Sequence, residues 1–107
     1  MRVAIYMRCA HPDKDQFDVQ RKRCLNFATQ AGYEVVGIYE DFGQSGLDEN
    51  RPGLRDMLAA AQTRAFERLV VDDMYRLSRN STHLAEIVEK LASYHVSVKP
   101  VPGDSAT

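Results

Sequence analysis

The chain has 107 residues, 44% of them hydrophobic and 27% charged, and a net charge of −1 at pH 7. That length holds one modest core, and the balance is that of an ordinary globular domain, not a disordered one. A domain that grips nucleic acid through bulk charge is clearly basic, so any contact with DNA has to come from a local patch or another module. No apolar run approaches the roughly 20 residues that cross a bilayer. The opening Met1-Arg2-Val3-Ala4-Ile5-Tyr6 is too short an apolar run for a signal peptide, so a cytoplasmic location and no membrane partner are expected. Cys9 and Cys24 lack metal-ligand spacing and are expected to be buried free thiols; no metal and no cofactor are expected. Ten arginines stand against four lysines. Arginine suits bidentate contact with phosphate, although a coding bias produces the same skew.

In chain order, Val3 to Arg8 reads as a strand, broken by His11-Pro12-Asp13. Asp15 to Ala31 reads as a helix stopped by Gly32, with Phe17, Gln20, Cys24, Phe27 and Ala31 on one face. Tyr33 to Tyr39 reads as a second strand, and the polar, glycine-containing Asp41 to Asn50 as a loop. Pro52 suits the first turn of a helix whose stripe is Leu54, Met57, Leu58 and Ala61. Leu69-Val70-Val71 is a third strand. Asn80, Ser81 or Thr82 can cap a last helix, with Leu84, Ile87, Val88, Leu91 and Ala92 as its apolar face and Glu86, Glu89 and Lys90 opposite. Val96 to Val101 is a final strand. The fold class expected from this alternation is α/β, a mostly parallel sheet of four to five strands with helices on both faces. One domain over residues 1–101 and a flexible tail over 102–107 are expected.

Sites in open α/β sheets form at the carboxyl ends of the strands. Three stretches fall there: Tyr6-Met7-Arg8-Cys9-Ala10; Asp41 to Gly46 followed by Arg51-Pro52-Gly53; and Asp72 to Asn80. They bring Arg8, Arg51, Arg76 and Arg79 toward one edge. Arg76 and Arg79 also precede a helix start, whose free N–H groups and dipole favour an anion. Ordinary salt bridges with Glu40, Asp41, Asp72 and Asp73 are the competing reading. Gln20, an amide on an apolar face, is either a satisfied core group or a side chain holding an arginine.

Tyr6-Met7-Arg8-Cys9-Ala10, Gln16-Phe17-Asp18-Val19-Gln20, Ser45-Gly46, Arg51-Pro52-Gly53-Leu54 and Tyr75-Arg76-Leu77-Ser78-Arg79 follow one another in that order. In this the chain resembles the catalytic domain of serine recombinases, the resolvase/invertase family, over residues 2 to about 101. The resemblance implies the three-layer resolvase-like fold and metal-free DNA strand exchange, in which a serine attacks a phosphodiester. It implies that Arg8, Arg76 and Arg79 bind the scissile phosphate, that Ser45 and Arg51 contact phosphate or support the loop, and that Gln20 orients site residues. Weak DNA binding by this domain alone is implied, with dimers or tetramers formed through a long helix that the family carries beyond the last strand.

Three departures stand out. Ala10 occupies the nucleophile position and has no atom that can attack phosphorus. Cys9 is next to it, but successive strand residues face opposite ways, so Cys9 is expected to face the core. Tyr75 replaces an aspartate, for which Asp73 is a possible substitute, and the chain stops just past its last strand. A natural loss in a remnant or regulatory relative and a deliberate Ser-to-Ala change both account for Ala10; Tyr6-x-Arg8 argues against a shifted register. A DNA-recombination homologue inactive in cleavage is the leading expectation, and a non-catalytic module that pairs with an active recombinase is the alternative. A phosphoacceptor receiver is disfavoured because the first strand ends in Arg8-Cys9-Ala10 and not in paired acids.

Overall fold

The N-terminal apolar run forms strand β1, Arg2–Cys9, and seven of its eight residues are buried. Burial on both faces is what a central parallel strand requires. The structure, a computed structural model, describes residues 1–9, 13–42 and 51–102. Helix α1 (Lys14–Gln30) follows, then β2 (Glu34–Phe42), α2 (Pro52–Gln62) and β3 (Arg68–Val71). A single 3-10 turn (Met74–Arg76), α3 (Ser81–Ser93) and β4 (Ser97–Pro100) complete the described elements. The four strands form one parallel sheet in the order β2-β1-β3-β4.

Two clusters of buried side chains make three layers. On one face of the sheet Val3, Ile5, Met7, Cys9 and Val70 pack against Phe17, Cys24 and Ala28 of α1. On the other, Ala4, Tyr6, Leu69 and Val71 pack against Leu54, Met57 and Ala61 of α2 and Ile87 and Leu91 of α3. The expected α/β class and two-sided helix cover are therefore observed. Cys9 faces the core, and both cysteines are buried free thiols. Among the described residues no helix is long and apolar enough to cross a membrane.

Local chemistry sets most boundaries. The Asp13 carboxylate accepts from the Gln16 backbone N–H (3.1 Å) and starts α1; Asn80 does the same for His83 (3.0 Å) and starts α3. At the end of α1, Gly32 takes φ +74°, so that its own N–H reaches the Thr29 carbonyl and that of Tyr33 reaches Ala28. The apolar face of α1 differs from expectation at its far end. Phe17, Gln20 and Cys24 are buried as expected, but the stripe continues through Ala28, leaving Phe27 half-buried beside the Tyr33 ring and Ala31 exposed. One step of three residues and two of four, from Phe17 to Ala28, stay close to the helical repeat and keep the stripe on the sheet.

β2 runs three residues further than expected and takes in Asp41 and Phe42, which pair with Arg8 and Cys9 of β1. The extension buries Asp41, whose carboxylate accepts from the backbone N–H groups of Gly53 (2.8 Å) and Leu54 (3.0 Å). Asp41 thus caps α2 from a neighbouring strand, while Arg51, at the cap position, contributes no side-chain cap. Gly53 is needed there, because a Cβ would lie 2.8 Å from the Glu40 carbonyl carbon and 3.0 Å from Asp41 Cγ. Ala10, Ser45, most of the expected loop and residues 103–107 of the expected tail lie outside the described residues.

Candidate functional site

In the order β2-β1-β3-β4 the connection after β1 leads to β2 on one side and the connection after β3 leads to β4 on the other, and their divergence opens a crevice at the carboxyl ends of β1 and β3. Arg8 is at this end of β1 and is 1% exposed. Its guanidinium crosses to the turn after β3, where Nε donates to the Arg76 carbonyl (3.0 Å) and Nη2 to the Tyr75 carbonyl (2.8 Å). Arg76 reciprocates, donating from Nη1 to the Arg8 carbonyl (3.2 Å). Gln20, on the sheet-facing side of α1, donates from Nε2 to that same carbonyl (3.1 Å). Its Oε1 is buried and has no hydrogen-bond partner among the described residues.

Arg51 enters from the start of α2 and is fully buried. Nη1 donates to the Tyr6 hydroxyl (3.1 Å) and the Arg76 carbonyl (3.0 Å), and Nη2 donates to the Leu77 carbonyl. The Tyr6 hydroxyl in turn donates to Asp41 (2.6 Å). Arg51 and Asp41 are thus linked through a neutral phenol. Burial, then the bond to Asp41, pushes the Tyr6 hydroxyl well above the usual phenol range, so it stays protonated. Arg76 also pairs with Asp72 (3.4 Å), which is shared with Arg23 of α1.

The arginines crowd one another. Burial first, then the charges of Arg51, Arg76 and Arg79, pull the Arg8 guanidinium below its ordinary pKa. It remains a cation at neutral pH, so the edge holds mutually repelling positive charges that an anion would relieve. Among the described residues no cluster of His, Cys, Asp and Glu could hold a metal ion.

Of the sequence-derived candidates, Arg8, Gln20, Arg51 and Arg76 come together in direct contact or through one shared carbonyl. Arg79 sits on the connection into α3, exposed and with no hydrogen bond or ion pair to a described residue; its charge nonetheless reaches Arg8. Asp73 is occupied in capping the 3-10 turn, where it accepts from the Tyr75 N–H (2.8 Å). The salt-bridge reading holds for Arg76 with Asp72. It does not hold for Arg51, which reaches Asp41 only through Tyr6. Sequence reasoning missed Asp41 as a site residue, because nothing local marks an aspartate that works on a helix twelve residues away.

The sequence pattern of the family described as "Resolvase, N terminal domain" matches residues 3–105, and the chain belongs to that family. Solved structures of serine recombinase catalytic domains share its fold. One is the C-terminal catalytic domain of ISC1926 TnpA, an IS607-like serine recombinase, with 28% identity over 97% of this chain and 69% of that one and a TM-score of 0.90. Another is a resolvase family site-specific recombinase from Streptococcus pneumoniae, with 25% identity over 94% and 72% and a TM-score of 0.83. The N-terminal catalytic domain of TP901-1 integrase has the same fold at a TM-score of 0.90, with 24% identity over 94% and 78%. No curated protein matches the sequence.

Proposed function

We propose that this chain is a serine recombinase catalytic domain that holds a DNA phosphodiester in an arginine frame and does not cleave it. The observation that carries the reading is the reciprocal clasp between Arg8 and Arg76, joined by Gln20 at the same carbonyl. Phosphoryl transfer asks the protein mainly for positioning and charge stabilisation. Guanidinium groups locked onto backbone carbonyls cost little to reorganise when the phosphate arrives. Arg8, Arg76 and the exposed Arg79 are assigned to the phosphate. Arg51, wholly buried on Tyr6, Arg76 and Leu77, is assigned to bracing the turn, and Ser45 to phosphate contact. Gln20 holds the Arg8 backbone. Ala10 supplies no attacking atom, and Cys9 points into the core, so the frame lacks a nucleophile.

The test joins this domain to the long helix and DNA-binding module of an active family member. Incubation with that member's recombination site, followed by a denaturing gel, reads covalent protein–DNA adducts. No adduct is expected from the chain as it stands, and an adduct is expected from Ala10→Ser. An adduct without the substitution, or none with it, would refute the reading. The domain alone is expected to bind DNA weakly, with affinity falling with salt at a slope of a few phosphate contacts.

A second reading, a regulatory module that pairs with an active recombinase, is favoured by Val36, Ile38 and Phe42. These are large apolar side chains exposed on β2 at the edge of the sheet. Sedimentation of a mixture with an active family member would show a mixed species if it holds, and two independent species if it does not.

A further inference from the structure

Tyr75 is 63% exposed, although its backbone is held on both sides. Its N–H donates to Asp73, and its carbonyl accepts from the buried Arg8 guanidinium. Its hydroxyl makes no hydrogen bond to a described residue. The ring is therefore presented to solvent from a fixed point, one peptide away from the Arg8–Arg76 clasp. An open hollow of about 390 Å³ lies beside it, and the described residues lining it are Tyr75 and Arg79. An exposed aromatic ring on a fixed backbone and a guanidinium with no partner among the described residues, next to a cluster of cations, form a surface on which a nucleobase can stack while its phosphate is held.

We propose that Tyr75 is a stacking platform for a nucleobase adjoining the phosphate bound by the arginines. The proposal rests on the phosphodiester reading above and extends it from the backbone of the ligand to its bases. The aspartate that the family resemblance places at this position would repel a polyanion; the tyrosine offers a neutral π face in its place. Stacking on a ring is indifferent to base identity, so a preference for unpaired or loosely stacked DNA follows, with little sequence preference.

The experiment compares two ligands by fluorescence anisotropy at low salt: a short oligothymidylate, and an abasic phosphodiester strand of the same length. They carry the same phosphates and differ in the bases. The unaltered chain should bind the oligothymidylate more tightly. Tyr75→Ala should weaken that binding about 10-fold and leave the abasic strand unaffected, whereas Tyr75→Phe should keep it within about twofold. Equal affinity for the two ligands, or an equal loss on both with Tyr75→Ala, overturns the stacking role. The phosphate reading is judged separately on the abasic strand. Binding that Arg79→Ala weakens supports it whatever Tyr75 does, and an abasic strand that does not bind at all counts against it.

Discussion

Tyr6 carries more of the site than its place in a strand suggests. Its hydroxyl lies between the Asp41 carboxylate and the Arg51 guanidinium, donating to one and accepting from the other. Both charges are buried, and neither touches the other directly. The phenol therefore relays charge compensation from the cap of α2 to the brace under the 3-10 turn. Tyr6→Phe keeps the ring in the core and deletes only the oxygen. Asp41 then retains the Gly53 and Leu54 N–H groups, and Arg51 retains two carbonyls, but each loses its link to the opposite charge. A hydrogen bond to a buried charged group contributes about 1.5–3 kcal/mol, so the variant should melt at least about 5 °C lower in a calorimetric scan. An unchanged melting temperature would mean that water or a neighbour replaces the hydroxyl and that the relay is dispensable.

At the scale of elements, the three described α-helices end in the same way. The residue past each cap takes a positive φ: Gly32 at 74°, Arg64 at 61° and His95 at 64°. In each case the next N–H reaches back to the same helix, Tyr33 to Ala28, Ala65 to Ala60 and Val96 to Leu91. Only α1 uses glycine, for which the left-handed region carries no Cβ penalty. His95→Gly should therefore stabilise the domain by up to about 1 kcal/mol, read as a raised urea midpoint with unchanged slope; a lowered midpoint would show that the imidazole makes a stabilising contact of its own. The same contrast explains what could be read in the chain. The caps at Asp13 and Asn80, Pro52 at a first turn and the stripes of α2 and α3 are local signals, and they located the helices to within a residue or two. The left-handed endings at Arg64 and His95 have no glycine to announce them, and the 3-10 turn at Met74–Arg76 has no periodicity to show. In the candidate site, the meeting of Arg8, Gln20 and Arg76 is legible from strand-end position and motif order. The burial of Arg51, and the assignment of Asp41 to capping α2 from β2, depend on residues that meet only when the sheet is assembled.

The whole molecule is two apolar layers pressed against one parallel sheet, and it encloses ionisable groups whose protons then depend on folding. Cys24 of α1 is wholly buried under the sheet. Burial first, and then the negative charge of Asp72, push its thiol from an ordinary 9.0 up to about 12. Tyr6, on the opposite face, is raised from 10.0 in the same direction, again mainly by burial. Below about pH 9 both groups are protonated in the folded and the unfolded chain, and their contribution to stability is full and flat. As the pH climbs past the unfolded values, the unfolded chain releases these protons while the folded one keeps them. Unfolding is then favoured by about 1.4 kcal/mol per pH unit for each group involved. Stability should therefore begin to fall near pH 9 on account of Cys24, and fall more steeply above about pH 10, where Tyr6 joins it. Urea titrations at stepped pH would show this as a midpoint that drops with an increasing slope. Cys24→Ala should delay the onset by about one pH unit, from the thiol's value to the phenol's, whatever it does to the neutral baseline. Tyr6→Phe should instead leave the onset and remove the steepening. If Cys24→Ala leaves the alkaline profile unchanged, the thiol ionises as readily inside the fold as outside it, and the layer over α1 is open to water.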